Sequence, residues 1–253
     1  MLERVSPQHH ARCCVDSQKW RVLLRPRLCA DKLDGTMREF GFSDRRDMRP
    51  TLLGVPVLAC MVIAAAPARA SDIIDEWGTA KVPPKPELKA VTLDPKTTAL
   101  LLLDLGKGTC AMRPRCVATV PNAKRIHDAA RAAGAMVYYT STPQDFIDPS
   151  FAPKDGEWAN TRGPDKYFGS DLEARLKAKS IQTVIVCGTS AQGVVIGTGS
   201  ESAQRGYKVI VPVDCMSSED LYMEQYAAWH MYKGGPNVVT ANTTLTRSTM
   251  IKF

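Results

Sequence analysis

The stretch that most limits the possible folds is residues 181–214, IQTVIVCGTSAQGVVIGTGSESAQRGYKVIVPVD, because it predicts a strand, a loop, a helix and a second strand in succession. Residues 183–187 are β-branched and uncharged, which is typical of a strand buried on both faces of a parallel sheet. Residues 191–204 are mostly small and end at Arg205-Gly206, a helix stop. Residues 208–213 form a second apolar run. A unit of this kind favours an α/β fold.

Similar segments alternate on both sides of this unit. The sequence predicts further strands at residues 98–103, 135–140 and 237–240, and helices at residues 121–133, 170–179 and from Ser217 or Ser218 to 232. Strict alternation predicts a parallel sheet with helices on both faces. Ligands of such folds bind outside the carboxyl ends of the strands. Those positions hold Asp104, Thr140 with Ser141, residues 188–192, and Asp214 with Cys215.

The region before residue 91 predicts three successive segments. Residues 1–47 lack periodicity and are expected to be a disordered or mis-called extension. Residues 48–70 follow a basic flank, hold an apolar run and end in Ala-Arg-Ala, which predicts a signal peptide and export to the periplasm or medium. The run falls short of the ~20 residues of a spanning helix, so we expect no membrane association after cleavage. Residues 71–90 are a predicted extended lead-in to a single domain at 91–253.

The charge distribution argues against nucleic acid as a partner. The formal net charge is +7, but residues 1–70 carry 12 of the 33 basic and 7 of the 26 acidic residues, so the rest of the chain is nearly balanced. No basic stripe with interleaved aromatic residues occurs in that remainder.

No cofactor or metal is predicted either. The glycines of Gly197-Thr198-Gly199 lie too far into the predicted helix for a dinucleotide fingerprint. The exported part has only His127 and His230, which are far apart in sequence, so a metal site is not expected. His9-His10 and Cys13-Cys14 lie in a segment without a scaffold to hold ligands.

Four motifs resemble the isochorismatase-like hydrolases, also called the cysteine hydrolase superfamily, over about residues 91–245. They are the strand that ends in Asp104, the KYFGSDL entry to a helix at 166–172, Gly188 with Thr198 ten residues later, and the run from Ala203 through Gly206-Tyr207 to Asp214. The resemblance implies a three-layer α/β/α fold around a mainly parallel sheet of about six strands. It also implies hydrolysis of a small amide, carbonyl or ether substrate, and by analogy a homo-oligomer.

The resemblance also implies the site residues. Amidase members of the family use an Asp, a Lys and a Cys; Asp104 matches the Asp, Lys166 the Lys, with Arg162 as a competing candidate, and the Cys position falls on Val194. Valine cannot be a nucleophile. Two interpretations follow. In one, Asp104 activates water or another nucleophile and Lys166 stabilises negative charge; in the other, a catalytically silent protein binds a small molecule or serves as an assembly subunit.

The turn after the central strand supplies the remaining candidates. Thr189, Ser190 and Gln192 are predicted to bind substrate together with Arg162, since Gln192 can donate an amide hydrogen bond at the helix start.

The cysteines of the predicted domain leave their pairing open. Cys110 and Cys116 share a loop and could pair in an oxidising compartment, whereas Cys187 is interpreted as a small apolar filler. Cys215 directly follows Asp214, and this position does not decide whether its side chain faces the crevice or bonds to a neighbour. A third hypothesis is a redox protein that uses Cys187 or Cys215.

Overall fold

The computed structural model describes residues 71–159 and 161–253, so the predicted extension at 1–47 and the predicted signal peptide at 48–70 lie outside the described residues. In the predicted lead-in, residues 73–79 form a hydrogen-bonded turn, and the chain then runs without regular structure as far as Val91. No helix among the described residues combines the length and the apolar character that crossing a membrane requires.

The described part of the chain contains eight strands and five α-helices. The strands are β1 (Val91–Thr92), β2 (Thr98–Leu103), β3 (Met136–Tyr139), β4 (Thr183–Thr189), β5 (Lys208–Pro212), β6 (Met216–Ser217), β7 (Thr243–Thr246) and β8 (Ile251–Lys252). The helices are α1 (Pro114–Ala133), α2 (Leu172–Ala178), α3 (Ile196–Gln204), α4 (Leu221–Trp229) and α5 (Asn237–Asn242). Five-residue π-helical segments precede α3 at Ala191–Val195 and follow α4 at His230–Gly234.

Six of the strands form one sheet in the order β3, β2, β4, β5, β7, with β6 paired to the end of β4. All of these pairs are parallel. Neighbouring residues of β2 belong to different core clusters: Leu101 and Leu103 pack with α2 and α3, whereas Leu100 and Leu102 pack with α1. Because both faces of the sheet carry helices, the predicted α/β fold with about six mainly parallel strands is confirmed.

The last predicted strand, residues 237–240, is wrong. Helix α5 occupies these residues, and β7 begins only at Thr243. The carbonyl of Pro236 accepts the N–H groups of Val239 and Thr240 at 2.9 and 3.0 Å, which closes a helical turn. Val239 is buried by that turn while Val238 remains exposed, so the two valines that suggested a strand serve a helix with one buried face.

Two helix starts also differ from prediction. Helix α1 begins at Pro114 rather than at Pro121, which lies inside the helix. Helix α4 is capped by Asp220, whose carboxylate accepts the N–H of Met223 at 3.0 Å, and not by Ser217 or Ser218, which are both buried.

Candidate active site

Asp104 lies at the carboxyl end of β2, where the chain leaves the sheet with a φ of 56°, an uncommon value for a residue other than glycine. The hydroxyl of Thr140, at the end of β3, accepts the N–H of Asp104 at 2.8 Å and donates to its Oδ1 at 2.7 Å. The hydroxyl of Thr109 donates to the carbonyl oxygen of Asp104. Thr109 and Thr140 therefore fix the backbone of Asp104, and Thr140 also orients its carboxylate.

Lys166 forms an ion pair with Asp104, with its Nζ 2.9 Å from Oδ2. The lysine side chain is 1% exposed and the aspartate side chain 21% exposed. Removing an ammonium group from water costs several kcal/mol, so its position depends on an opposite charge and good hydrogen bonds. The two residues that the sequence predicted to be catalytic therefore meet in the folded protein.

The loop that carries Lys166 packs closely on α3. The hydroxyl of Thr198 accepts the N–H of Lys166 at 3.2 Å and donates to the carbonyl oxygen of Pro164 at 3.0 Å. A Cβ on Gly197 would lie 2.8 Å from that same carbonyl oxygen, a contact too short to tolerate. The absence of a side chain at Gly197 thus lets the loop that carries Lys166 approach α3.

A cavity of about 500 Å³ opens beside the ion pair. Among the residues that the structure describes, its lining consists of hydroxyl, carboxylate and cationic side chains with one glycine, and includes no aromatic or large aliphatic residue. The lining residues are Asp104, Thr109, Thr140, Ser141, Thr142, Asp145, Thr161, Arg162, Gly163 and Lys166. Arg162, the competing candidate, therefore faces the same cavity as Lys166 rather than replacing it.

Two polar residues of this cavity, Thr161 and Asp145, were not predicted from the sequence. The hydroxyl of Thr161 is buried without a hydrogen-bond partner among the described atoms. The backbone of Asp145 is held on both sides, since its N–H donates to the carbonyl of Thr142 at 3.0 Å and its carbonyl accepts from Lys107 at 2.6 Å. Both lie in the long segment 141–165, which holds four prolines and follows no helix or strand period, so no pattern in it singles out a residue.

Three of the predicted substrate-binding residues lie apart from this cavity. Thr189 is buried and donates its hydroxyl to the carbonyl of Ser217 at 3.2 Å. Gln192 accepts a hydrogen bond from the hydroxyl of Ser218. Ser190 precedes the π-helical segment without capping it through its side chain. The structure therefore brings Arg162, but not these three residues, to the cavity.

Val194, which the resemblance predicts to stand at the nucleophile position of the family, is apolar. Val194 is 5% exposed and belongs to the hydrophobic core around α3. Asp214 is bound by the carboxyl-terminal segment, since its two carboxylate oxygens accept the N–H and the hydroxyl of Ser248 at 2.8 and 2.7 Å.

All four cysteines of the predicted domain form disulfides. Cys187 pairs with Cys215 and joins the end of β4 to the chain before β6, and Cys110 pairs with Cys116 before and within α1. The interpretation of Cys187 as an apolar filler is therefore wrong. Residues 28 positions apart in sequence meet only after β4 and β5 have paired, so local sequence could not reveal this bond.

Four polar side chains, called here the clamp, link α1 and the edge strand β3 to the segment 141–165: His127, Arg131, Tyr139 and Glu157. His127 Nε2 lies 2.8 Å from the hydroxyl of Tyr139, and Arg131 pairs with that hydroxyl and with Glu157. Burial lowers the pKa of His127 and raises the pKa of Tyr139 to about 12. Within the described residues, no group of three or more metal-ligating side chains occurs.

The chain is similar to known proteins along most of this domain. A family model described as the isochorismatase domain matches residues 98–243. An uncharacterised isochorismatase family protein of Bacillus subtilis, YwoC, is 25% identical over 158 residues, which cover 52% of this chain and 83% of that protein. N-carbamoylsarcosine amidase of Arthrobacter is 28% identical over 144 residues, or 45% of this chain and 53% of that enzyme.

Solved structures show the same fold. An isochorismatase family protein of Burkholderia thailandensis superposes with a TM-score of 0.54 at 17% identity, covering 64% of this chain and 97% of that one. A cysteine hydrolase of Pseudomonas syringae superposes with a TM-score of 0.53 at 20% identity, over 64% and 94% of the two chains.

Proposed function

The chain belongs to the isochorismatase family, and we propose that it is a hydrolase that acts on a small amide, carbonyl or ether substrate in the cavity beside Asp104. The observation that carries this proposal is the ion pair between Asp104 and the buried Lys166 at the wall of that cavity. Two opposite charges held at the carboxyl ends of parallel strands are placed where α/β folds bind their ligands.

Water is the proposed nucleophile. The hydrocarbon side chain of Val194 cannot form the thioester intermediate of the amidase members, and all four cysteines of the domain are in disulfides. Asp104 would accept a proton from a water molecule in the cavity as that water attacks the substrate. The same carboxyl group would then donate the proton to the leaving nitrogen or oxygen, so the residue ends as it began.

The cationic side chains would stabilise the charge that develops on the substrate oxygen. Lys166 is desolvated and fixed by its carboxylate partner, so it would present a cation at the cavity wall that needs no reorganisation during the reaction. Arg162 is exposed at the cavity and can bind an anionic group of the substrate. Thr161 offers an unused hydroxyl beside it.

The lining favours a polar substrate without an aromatic ring. Hydroxyl and charged groups make up the wall, and no aromatic side chain is present among its residues to stack on a ring. The likeness to an amidase, N-carbamoylsarcosine amidase, supports a small polar amide within this class. A volume of about 500 Å³ suits a single small molecule.

We also propose that the protein works in an oxidising compartment after export. The two disulfides among the described residues support this proposal, because disulfides persist mainly in secreted and periplasmic proteins. The signal-peptide pattern at residues 48–70 points the same way.

The test is a hydrolysis assay of the purified chain on a panel of small polar amides, aromatic amides and isochorismate, followed by mass spectrometry. We expect turnover of a polar member, and a loss of roughly 10²-fold to 10⁴-fold in Asp104→Asn. Asp155→Asn is the matched control, because this exposed carboxylate lies outside the cavity and should leave turnover unchanged.

If the protein is catalytically silent, the same experiments should give a different result. In that case the chain would bind a panel compound without hydrolysing it. The binding would be lost in Arg162→Gln, which would place it at the cavity. Turnover that survives Asp104→Asn in folded protein would remove the proposed mechanism.

A further inference from the structure

We infer that two copies of this chain associate by exchanging the segment 71–80, called here the arm, which docks into a basic groove beside the edge strand β3 of the partner copy. The inference does not depend on the proposed hydrolase activity. It rests on an unpartnered apolar and acidic arm, a groove of complementary character, and the opposite positions of the two on the sheet.

The arm is a preformed turn with exposed apolar side chains. The carboxylate of Asp72 accepts the N–H groups of Ile74 and Asp75 at 2.8 and 3.1 Å, which fixes the turn. Ile73 is 78% exposed and Trp77 is 75% exposed, so both remain in contact with water in the single chain. Large apolar side chains grouped on a short segment in this way mark an interaction surface.

The arm is also strictly acidic. Residues 71–80 contain Asp72, Asp75 and Glu76 and neither lysine nor arginine. A fitting surface must therefore offer apolar area and positive charge together.

A groove of about 820 Å³ offers both. Its apolar floor includes Met136 and Val137 of the edge strand β3, and Ile181 just before β4. Five cationic side chains and two acidic ones line it. Among the cations, Lys96 and Lys179 are exposed, and neither forms an ion pair among the described residues.

The competing apolar surface carries balanced charge. Leu221 and Tyr222 on α4 are exposed, but the neighbouring carboxylates of Glu219 and Glu224 pair with Arg113 and Arg115. The groove has three more cationic than acidic residues in its lining, so charge complementarity favours the groove for an acidic arm.

Position favours exchange between copies. The arm joins the domain beside β7, where the N–H of Lys89 donates to the carbonyl of Leu245 at 2.9 Å, and β7 and β3 form opposite edges of the sheet. These edges are about 19 Å apart at ~4.8 Å per strand. Reciprocal docking of two arms closes the assembly as a two-fold dimer.

The groove is separate from the catalytic cavity. It is lined by Pro95, Gly134 and Ile181, which lie just before β2, β3 and β4, whereas Asp104 follows the carboxyl end of β2. Substitutions in the groove should therefore change the dimer dissociation constant and leave hydrolysis unchanged. The test of the dimer is thus distinct from the hydrolysis assay.

The test is sedimentation velocity of the full chain over a range of protein concentrations at low and high salt. We expect a dimer that weakens with salt, and an increase of about ten-fold in its dissociation constant in the arm variant Asp75→Lys/Glu76→Lys. The groove variant Lys96→Glu/Lys179→Glu should weaken it equally. Combining all four changes should restore the dimer to within about three-fold, since the opposite charges again face each other.

Two single variants complete the test. Trp77→Ser should weaken the dimer, whereas Tyr222→Ser, the matched control on α4, should leave it unchanged. A chain that is monomeric at every concentration overturns the inference, and so does a dimer that tolerates the arm and groove variants. If hydrogen–deuterium exchange shows that the arm is protected in the monomer, the arm docks on its own chain. That result would overturn the proposed swapping of arms between copies.

Discussion

Two halves of the same sheet edge differ in character. Between the ends of β2 and β3, Asp104 and Lys166 form an ion pair at the wall of an open polar cavity. One strand further, Val194 is buried in the π-helical segment that follows β4, and a disulfide joins Cys187 of β4 to Cys215 before β6. The comparison teaches that the open polar cavity lies on the β2–β3 side of this edge, whereas the neighbouring side is apolar and cross-linked and contacts the lysine-bearing loop through Thr198 of α3.

The largest effect should come from breaking the ion pair. Asp104→Leu leaves the ammonium of Lys166, which is 1% exposed, without a counter-charge, and should cost roughly 3–5 kcal/mol of unfolding free energy. Lys166→Met should cost less, because the 21% exposed carboxylate keeps water and the hydroxyl of Thr140. Urea denaturation measures both.

The double variant sharpens this prediction. Asp104→Leu with Lys166→Met removes both charges and should recover most of the lost stability, although it should abolish turnover. Equal costs for the two single variants, or a double variant as unstable as their sum, would contradict the buried-lysine account.

Removing the disulfide of the apolar half should have the next largest effect. Replacing Cys187 and Cys215 by alanine opens a loop of sequence separation 28 and should cost about 3.5 kcal/mol, against about 2 kcal/mol for Cys110 and Cys116 at separation 6. Thermal unfolding under reducing and non-reducing conditions tests the order. If the two halves are independent, the Cys187 and Cys215 variant keeps its turnover well below its melting temperature.

A thiol at position 194 tests whether the two halves share a cavity. Val194→Cys is nearly isosteric and should change stability by less than about 1.5 kcal/mol. Because Val194 is buried and lies outside the cavity lining, iodoacetamide should modify this thiol about ten-fold more slowly than the one in Thr109→Cys, at the exposed cavity wall. Peptide mass spectrometry gives both rates. Equal rates would show one continuous site.

The smallest effect should be a dependence of folding stability on pH that arises from His127 in the clamp. Burial holds the pKa of His127 below its ordinary value, so between the two values the unfolded chain binds more protons than the folded one. Stability should therefore fall as the pH drops below about 6.5, the unfolded value, and stay level above it.

His127→Gln isolates this contribution. The variant should lose the decline between neutral pH and about pH 5, where the carboxylates of Asp128 and Glu157, whose pKa values are lowered, remain charged. An identical pH profile in wild type and variant, measured by urea unfolding, would show that His127 does not titrate on unfolding.

Much of the fold was predictable because it depends on neighbours in sequence. The uncharged run at 98–103 predicted β2 with its observed bounds, since a strand buried on both faces needs six apolar or small residues in a row. The helix at Asn237–Asn242 was not predictable in this way, because two valines fit a strand or a helix and only the packing of Val239 decides between them.

For the candidate site, the sequence by itself determined the chemical groups: it supplied Asp104 and Lys166 as the predicted charged pair and a valine at position 194. Only the tertiary structure decided that the two charges meet across 62 positions of chain, that Cys187 pairs with Cys215, and which hydroxyl groups line the cavity. The physical reason is that strand and helix periodicity is encoded locally. Ion pairs, disulfides and cavities instead depend on distances between segments that only the packed sheet brings together.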